Sequence, residues 1–120
     1  YVYTRNAERK QSLSPMRLIN KTESILPISK EKFHNEIQIA VQGGKIQLLR
    51  LIKSIPNNLW VLQSTKDIKS VYDNVIDLSV PFDLLDIANE ETMEFCFVNA
   101  NYGIKDFFIP NDMLLTINRE

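Results

Sequence analysis

Apolar and polar positions alternate with a period of two through most of the chain after residue 35. Ile37, Ile39 and Val41 alternate with Gln38, Ala40 and Gln42, Gly43-Gly44 follows, and Ile46 and Leu48 then flank Gln47. Alternation gives a strand one apolar face, and a Gly-Gly pair supplies the positive φ of a tight hairpin turn, so the spacing predicts a β-hairpin. Ile46, Leu49, Ile52 and Ile55 also recur at helical spacing, so 45–55 fits strand or helix. The strand reading gives the preceding strand its nearest partner. Pro56-Asn57-Asn58 reads as a turn, 59–63 (LWVLQ) as a short strand, and 67–72 as a strand or a single helical turn. Ile76, Leu78 and Val80 alternate with Asp77 and Ser79 up to Pro81, and Met93, Phe95 and Phe97 alternate with Glu94 and Cys96. Both runs predict half-buried strands. Between them, 81–91 (PFDLLDIANEE) predicts a turn or short helix tucking Phe82, Leu85 and Ile87 under a sheet. Turns at 99–103 and at Pro110-Asn111-Asp112 set off two last strands, 104–109 and 113–117.

The first 35 residues lack this order. Residues 1–14 are polar and read as an extended arm, and Ser14-Pro15 fits a helix start with serine as N-cap and proline in the first turn. Asn20, Lys21 and Pro27 limit that helix to about two turns. The expected organisation is an N-terminal arm with a short helix over 1–35, followed by an antiparallel β-sandwich of about seven or eight short strands over 36–120. The fold class is all-β.

With 120 residues, 44% of them hydrophobic and 24% charged, the chain has the make-up of one globular domain. A single cysteine leaves no intramolecular disulfide, and one cysteine with one histidine leaves no ordinary zinc cluster. No apolar run nears the ~20 residues of a membrane-spanning helix, and no membrane partner is expected. Tyr1 in the first position reads as a processed chain or an excised piece. Asn20-Lys21-Thr22 has the form of an N-glycosylation acceptor, of consequence only in a secreted eukaryotic chain.

The net charge of −1 hides a division. Residues 1–60 carry ten Lys/Arg and four Asp/Glu, a balance of +6, and residues 61–120 carry four and eleven, a balance of −7. The two halves attract one another if they pack together. Alternatively, Arg5, Arg9, Lys10 and Arg17, interleaved with Tyr1 and Tyr3, form a basic arm that meets an acidic protein partner. A pI near 5.9 argues against nucleic acid.

Catalytic ingredients are sparse. Cys96 lies between Phe95 and Phe97 on a strand, facing opposite to both rings, as a structural thiol does. His34 sits in a polar stretch and is expected to be solvated. No Gly-x-Ser-x-Gly turn or phosphate-cradling loop is present. Asp73, Asp77, Asp83, Asp86, Glu90, Glu91 and Glu94 crowd one stretch, but their spacing matches no calcium loop, and a solvated acidic face is expected. No metal, cofactor or catalytic residue is assigned. If Leu59 and Val61 face the core, Trp60 stands outward, where Tyr72 and Tyr102 could flank it as a platform for a sugar ring. Equally, Trp60 belongs to the core.

The run NVIDLSVPFDLLDI, an acidic gap, and MEFCFVNANYGIKDFFIPNDMLLTI together span residues 74–117. A strand ending in Pro-Phe-x-x-Leu (Ile76 to Leu85), a strand with alternating phenylalanines (Glu94 to Val98), an aromatic-apolar-Pro corner (Phe107 to Pro110) and a last strand (Met113 to Ile117) follow in order. In this the stretch resembles the C-terminal half of the β-sandwich module appended to family 57 glycoside hydrolases and glucodextranases. The resemblance implies a non-catalytic accessory module whose partner is a polysaccharide or a catalytic domain of the same parent chain. That family's catalytic carboxylates lie in a separate barrel, so none transfers here. Val80-Pro81-Phe82 and Ile109-Pro110 carry over as structural positions. The alternative expectation is a protein–protein interaction domain or assembly subunit using the basic arm and the acidic half.

Overall fold

The computed structural model describes residues 1–9, 13–17, 31–40, 45–53, 58–72, 75–101, 104–110 and 113–120, of which 52, 53, 58, 72, 100, 101 and 104–109 are described as backbone only. The expected turns at Gly43-Gly44, Pro56-Asn57, Tyr102-Gly103 and Asn111-Asp112, the glycosylation sequence and Lys10 lie outside the described residues.

The chain is all-β, and its sheets are antiparallel. In chain order the strands are β1 (Val2–Asn6), β2 (Ser14–Pro15), β3 (Lys32–Phe33), β4 (Asn35–Ala40), β5 (Lys45–Lys53), β6 (Asn58–Gln63), β7 (Lys69–Tyr72), β8 (Ile76–Ser79), β9 (Thr92–Asn101), β10 (Ile104–Ile109) and β11 (Leu115–Asn118). Seven strands form one sheet in the order β10-β9-β1-β4-β5-β6, with β11 beside β9. Segment 45–55, which fitted strand or helix, is β5 over its described part, paired with β4 from Asn35↔Arg50 to Ala40↔Lys45. Ile109 pairs with Phe97 and Leu115 with Phe95, so β10 and β11 follow one another along the same edge of β9.

Among the described residues, two-stranded ribbons, β2–β3 and β7–β8, accompany the central sheet in place of the second large sheet of a sandwich. One face carries Val2, Ile37 and Leu48, buried with Ile68, Leu85 and Ile87 beneath the β7–β8 ribbon and the 3-10 turn Phe82–Leu85. The expected tuck of Phe82, Leu85 and Ile87 is seen here. The other face carries Tyr3, Cys96 and Val98, buried with Met16 and Phe33 from beside and within the β2–β3 ribbon. Cys96 therefore faces away from Phe95 and Phe97, as its alternation requires.

Two expectations about the N-terminal region are corrected. Val2–Asn6 is no loose arm: β1 lies in the middle of the sheet, paired with β4 through Val2↔Ile37 and with β9 through Val2↔Phe97, and all five residues are buried. The side chains of Thr4, Arg5 and Asn6 escape the desolvation penalty because each meets a partner. The Asn35 amide donates to Thr4 Oγ1 at 3.1 Å, Arg5 binds two carboxylates, and the Asn6 amide donates to Glu91 at 2.6 Å. Ser14–Pro15, expected to open a helix, is strand β2, paired with β3 through Ser14↔Phe33. That pairing seats Met16 and Phe33, both fully buried, on Tyr3, an apolar gain that a short exposed helix does not offer.

Candidate functional site

On the first face the cover is incomplete. β8 and the 3-10 turn, with Leu85 of the turn buried in one cluster with Ile37, leave a groove of about 390 Å³ between Ile76, Leu78, Val80 and Phe82 on one wall and Met93, Phe95, Phe97 and Ile117 on the other. Alternation on β9 sends its rings to this side, and Phe95 and Phe97 meet edge to face at 5.6 Å. Phe97 is 39% exposed, Ile117 45% and Ile76 56%, so the rim is apolar as well as the floor. The polar side chains in the lining are Thr4 and Asp77. Asp77 is exposed and faces Val71 across the ribbon, with no cation opposite it. An apolar concavity of this volume with few polar groups is the usual form of a binding site.

Three of the four basic residues singled out for partner binding hold the fold's own acids. The Arg5 guanidinium, its side chain 10% exposed, donates to Glu94 at 2.6 Å and to Glu31 at 2.8 Å. It also lies 5.8 Å above the Phe33 ring. Arg9 donates to Glu91 at 2.8 Å and lies 3.6 Å from Asp86. The Arg9 guanidinium, with help from the Ala88 and Asn6 N–H groups, holds the Glu91 carboxyl below its ordinary range. Arg17 donates to the fully buried Glu36 at 3.2 Å. Glu94, Asp86 and Glu91 come from the acidic half of the chain, so much of the +6/−7 division joins β1 and its flank to β9 and its flank. Of the acidic stretch, Asp83 also pairs, with Arg119.

The proposed sugar platform is not brought together by the described side chains. Trp60 is half-buried on β6, opposite Leu51 of β5. Leu59 and Val61 lie on the Leu48 side of the sheet by register but stay 54% and 37% exposed at its edge, and Leu62 on the Trp60 face is 58% exposed. Tyr72 closes β7, with its side chain outside the described residues, and Tyr102 lies outside them altogether.

His34, expected in solvent, is buried between β3 and β4. Its N–H donates to the Thr4 carbonyl at 3.2 Å, and its carbonyl accepts from the Leu51 N–H at 2.8 Å, which fixes the residue at the centre of the sheet. Burial holds its imidazole below the ordinary range, against the pull of Asp86 and together with Arg50. Burial also pushes the Cys96 thiol up to about 12, so it stays protonated at neutral pH, unlike a reactive thiolate. Among the described residues no group of His, Cys, Asp and Glu converges in a way that could hold a metal ion.

In the sequence, the groove's strand residues are the apolar positions of half-buried strands. Alternation at 93–97 gives their common face, but it does not say that the cover from 76–87 falls short of it. Comparisons with protein-family models, with curated proteins and with solved structures returned no match.

Proposed function

We propose that the chain is a protein-interaction module, and that its binding site is the groove between β8 and β9–β11. The observation that carries this reading is the exposed apolar rim formed by Phe97, Ile117 and Ile76 around a concave apolar floor. Exposed apolar residues that are contiguous and concave are left in that state when another molecule covers them. The occupant is an extended segment of a protein partner, with apolar side chains at alternate positions and a basic residue alongside to meet Asp77. Charge supports this choice, because residues 61–120 carry a balance of −7 and Arg9 and Arg119 are already paired.

The test is selection from a random peptide display library against the wild-type chain, with counter-selection against Phe97→Glu. Peptides with alternating apolar residues and a flanking Lys or Arg, bound at least about tenfold more weakly by Phe97→Glu, are the expected result. Selected peptides that bind both proteins equally would place the site elsewhere. The accessory-module reading rests on Trp60 and on the resemblance at 74–117. Retardation of the chain in native gels containing soluble starch or another glucan, lost in Trp60→Ala, would replace the interaction reading with it.

A further inference from the structure

We propose that β6 pairs with the β6 of a second copy of this chain across a two-fold axis, joining two sheets into one. β6 ends the strand order of the central sheet, and among the described residues it pairs with β5 alone. An open edge offers a row of unpaired N–H and C=O groups to any other strand, and proteins that stay monomeric blunt such edges with lysine, proline, inward-pointing charge or a bulge. β6 has none of these. Its residues are Asn58, Leu59, Trp60, Val61, Leu62 and Gln63, and its six pairs with β5, from Lys53↔Asn58 to Leu48↔Gln63, run without a shift in register. The opposite edge, by contrast, includes Lys105 and Asp106 on β10, and its pairing with β9 shifts register between Ile104 and Phe107.

The symmetry of the contact selects the partner. A two-fold axis through an antiparallel pair sets each residue against the same strand, so any charge near the axis would meet its own copy. An uncharged strand avoids that repulsion in every register. In either central register, with Trp60 or Val61 on the axis, apolar side chains meet on both faces: Leu59 and Val61 on one, Trp60 and Leu62 on the other. Pairing thus covers side chains that now stand 54%, 37% and 58% exposed at Leu59, Val61 and Leu62. Six residues of edge bury less area than a standard interface, so the dimer forms reversibly in the micromolar range.

Sedimentation velocity on the whole chain from about 5 to about 500 µM tests this, alongside Val61→Lys and, as a control on the β7–β8 ribbon, Val71→Lys. The expected result is a concentration-dependent dimer for wild type and Val71→Lys, and dimerisation at least about tenfold weaker for Val61→Lys, with unchanged circular dichroism. A monomer at every concentration, or a dimer indifferent to Val61→Lys, would overturn the proposal. Loss in Val71→Lys alone would also overturn it. If Val61→Lys fails to fold, wild-type Trp60 decides, being the only tryptophan in the chain. Its quenching by acrylamide should fall as the dimer forms, and a dimer that leaves it unchanged would exclude β6.

Discussion

Replacing Arg5 with methionine separates an internal role from a partner-binding one. Methionine keeps an apolar stem under the β3 side of the sheet and deletes the guanidinium that joins Glu94 at 2.6 Å and Glu31 at 2.8 Å. Removing one member of a buried ion pair costs ~3–5 kcal/mol when the survivor stays buried. Here Glu94 keeps 21% side-chain exposure and Glu31 42%, so water recovers part of the loss. The expected cost is therefore ~2–3 kcal/mol. With a urea slope of ~2 kcal/mol per M, the unfolding midpoint falls by about 1–1.5 M. The assay is urea unfolding followed by Trp60 fluorescence and by circular dichroism. It is run on wild type, Arg5→Met, Glu94→Gln and the double variant. The double variant should be less destabilised than the sum of the singles by ~1–2 kcal/mol, because Glu94→Gln removes the charge that Arg5→Met strands. A coupling below ~0.5 kcal/mol, with a wild-type midpoint for Arg5→Met, would refute the internal role.

Three further outcomes follow from the same geometry. Leu48, fully buried beneath the β7–β8 ribbon, should cost ~3–4 kcal/mol on truncation to alanine, measured by the same urea unfolding. His34 is held neutral by burial below its ordinary value of 6.5, so the unfolded chain binds the extra proton first and stability declines as pH falls below 6.5. Thermal midpoints between pH 5 and pH 8 should show that decline, and His34→Gln should flatten it. Cys96, with its thiol pushed up to about 12, should resist a disulfide reagent at pH 8 in the native state and react at once in denaturant.

The strands between residues 36 and 120 were legible because their sequences alternate, and alternation reports directly on a one-sided apolar face. β1 was illegible for the same reason. Thr4, Arg5 and Asn6 look like surface residues, and only their partners at Asn35, Glu94 and Glu91, far along the chain, make their burial tolerable. β2 was hidden because Ser-Pro is a good helix start, whereas the deciding contact, Met16 and Phe33 on Tyr3, is tertiary. The +6/−7 division did anticipate that the halves attract one another, though not which arginine meets which acid. For the groove, sequence supplied the face of Phe95 and Phe97, while its openness depends on how far β8 reaches across β9.

The position of β1 also bears on how the sheet assembles in time. β4–β5–β6 and β9–β10–β11 are each local units whose strands are near neighbours in the chain, and β1 is the strand that hydrogen-bonds one unit to the other. Its contacts with β9 close very long loops: Arg5 and Glu94 are 89 residues apart. A ribosome delivers β1 before either neighbour, so this strand waits with its donors and acceptors in water until β4 and then β9 emerge. Closing such loops is slow, and the high contact order places the completed sheet among millisecond-to-second folders rather than microsecond ones. Until β1 is in place, β4 and β9 each lack one neighbour and stand as additional open edges.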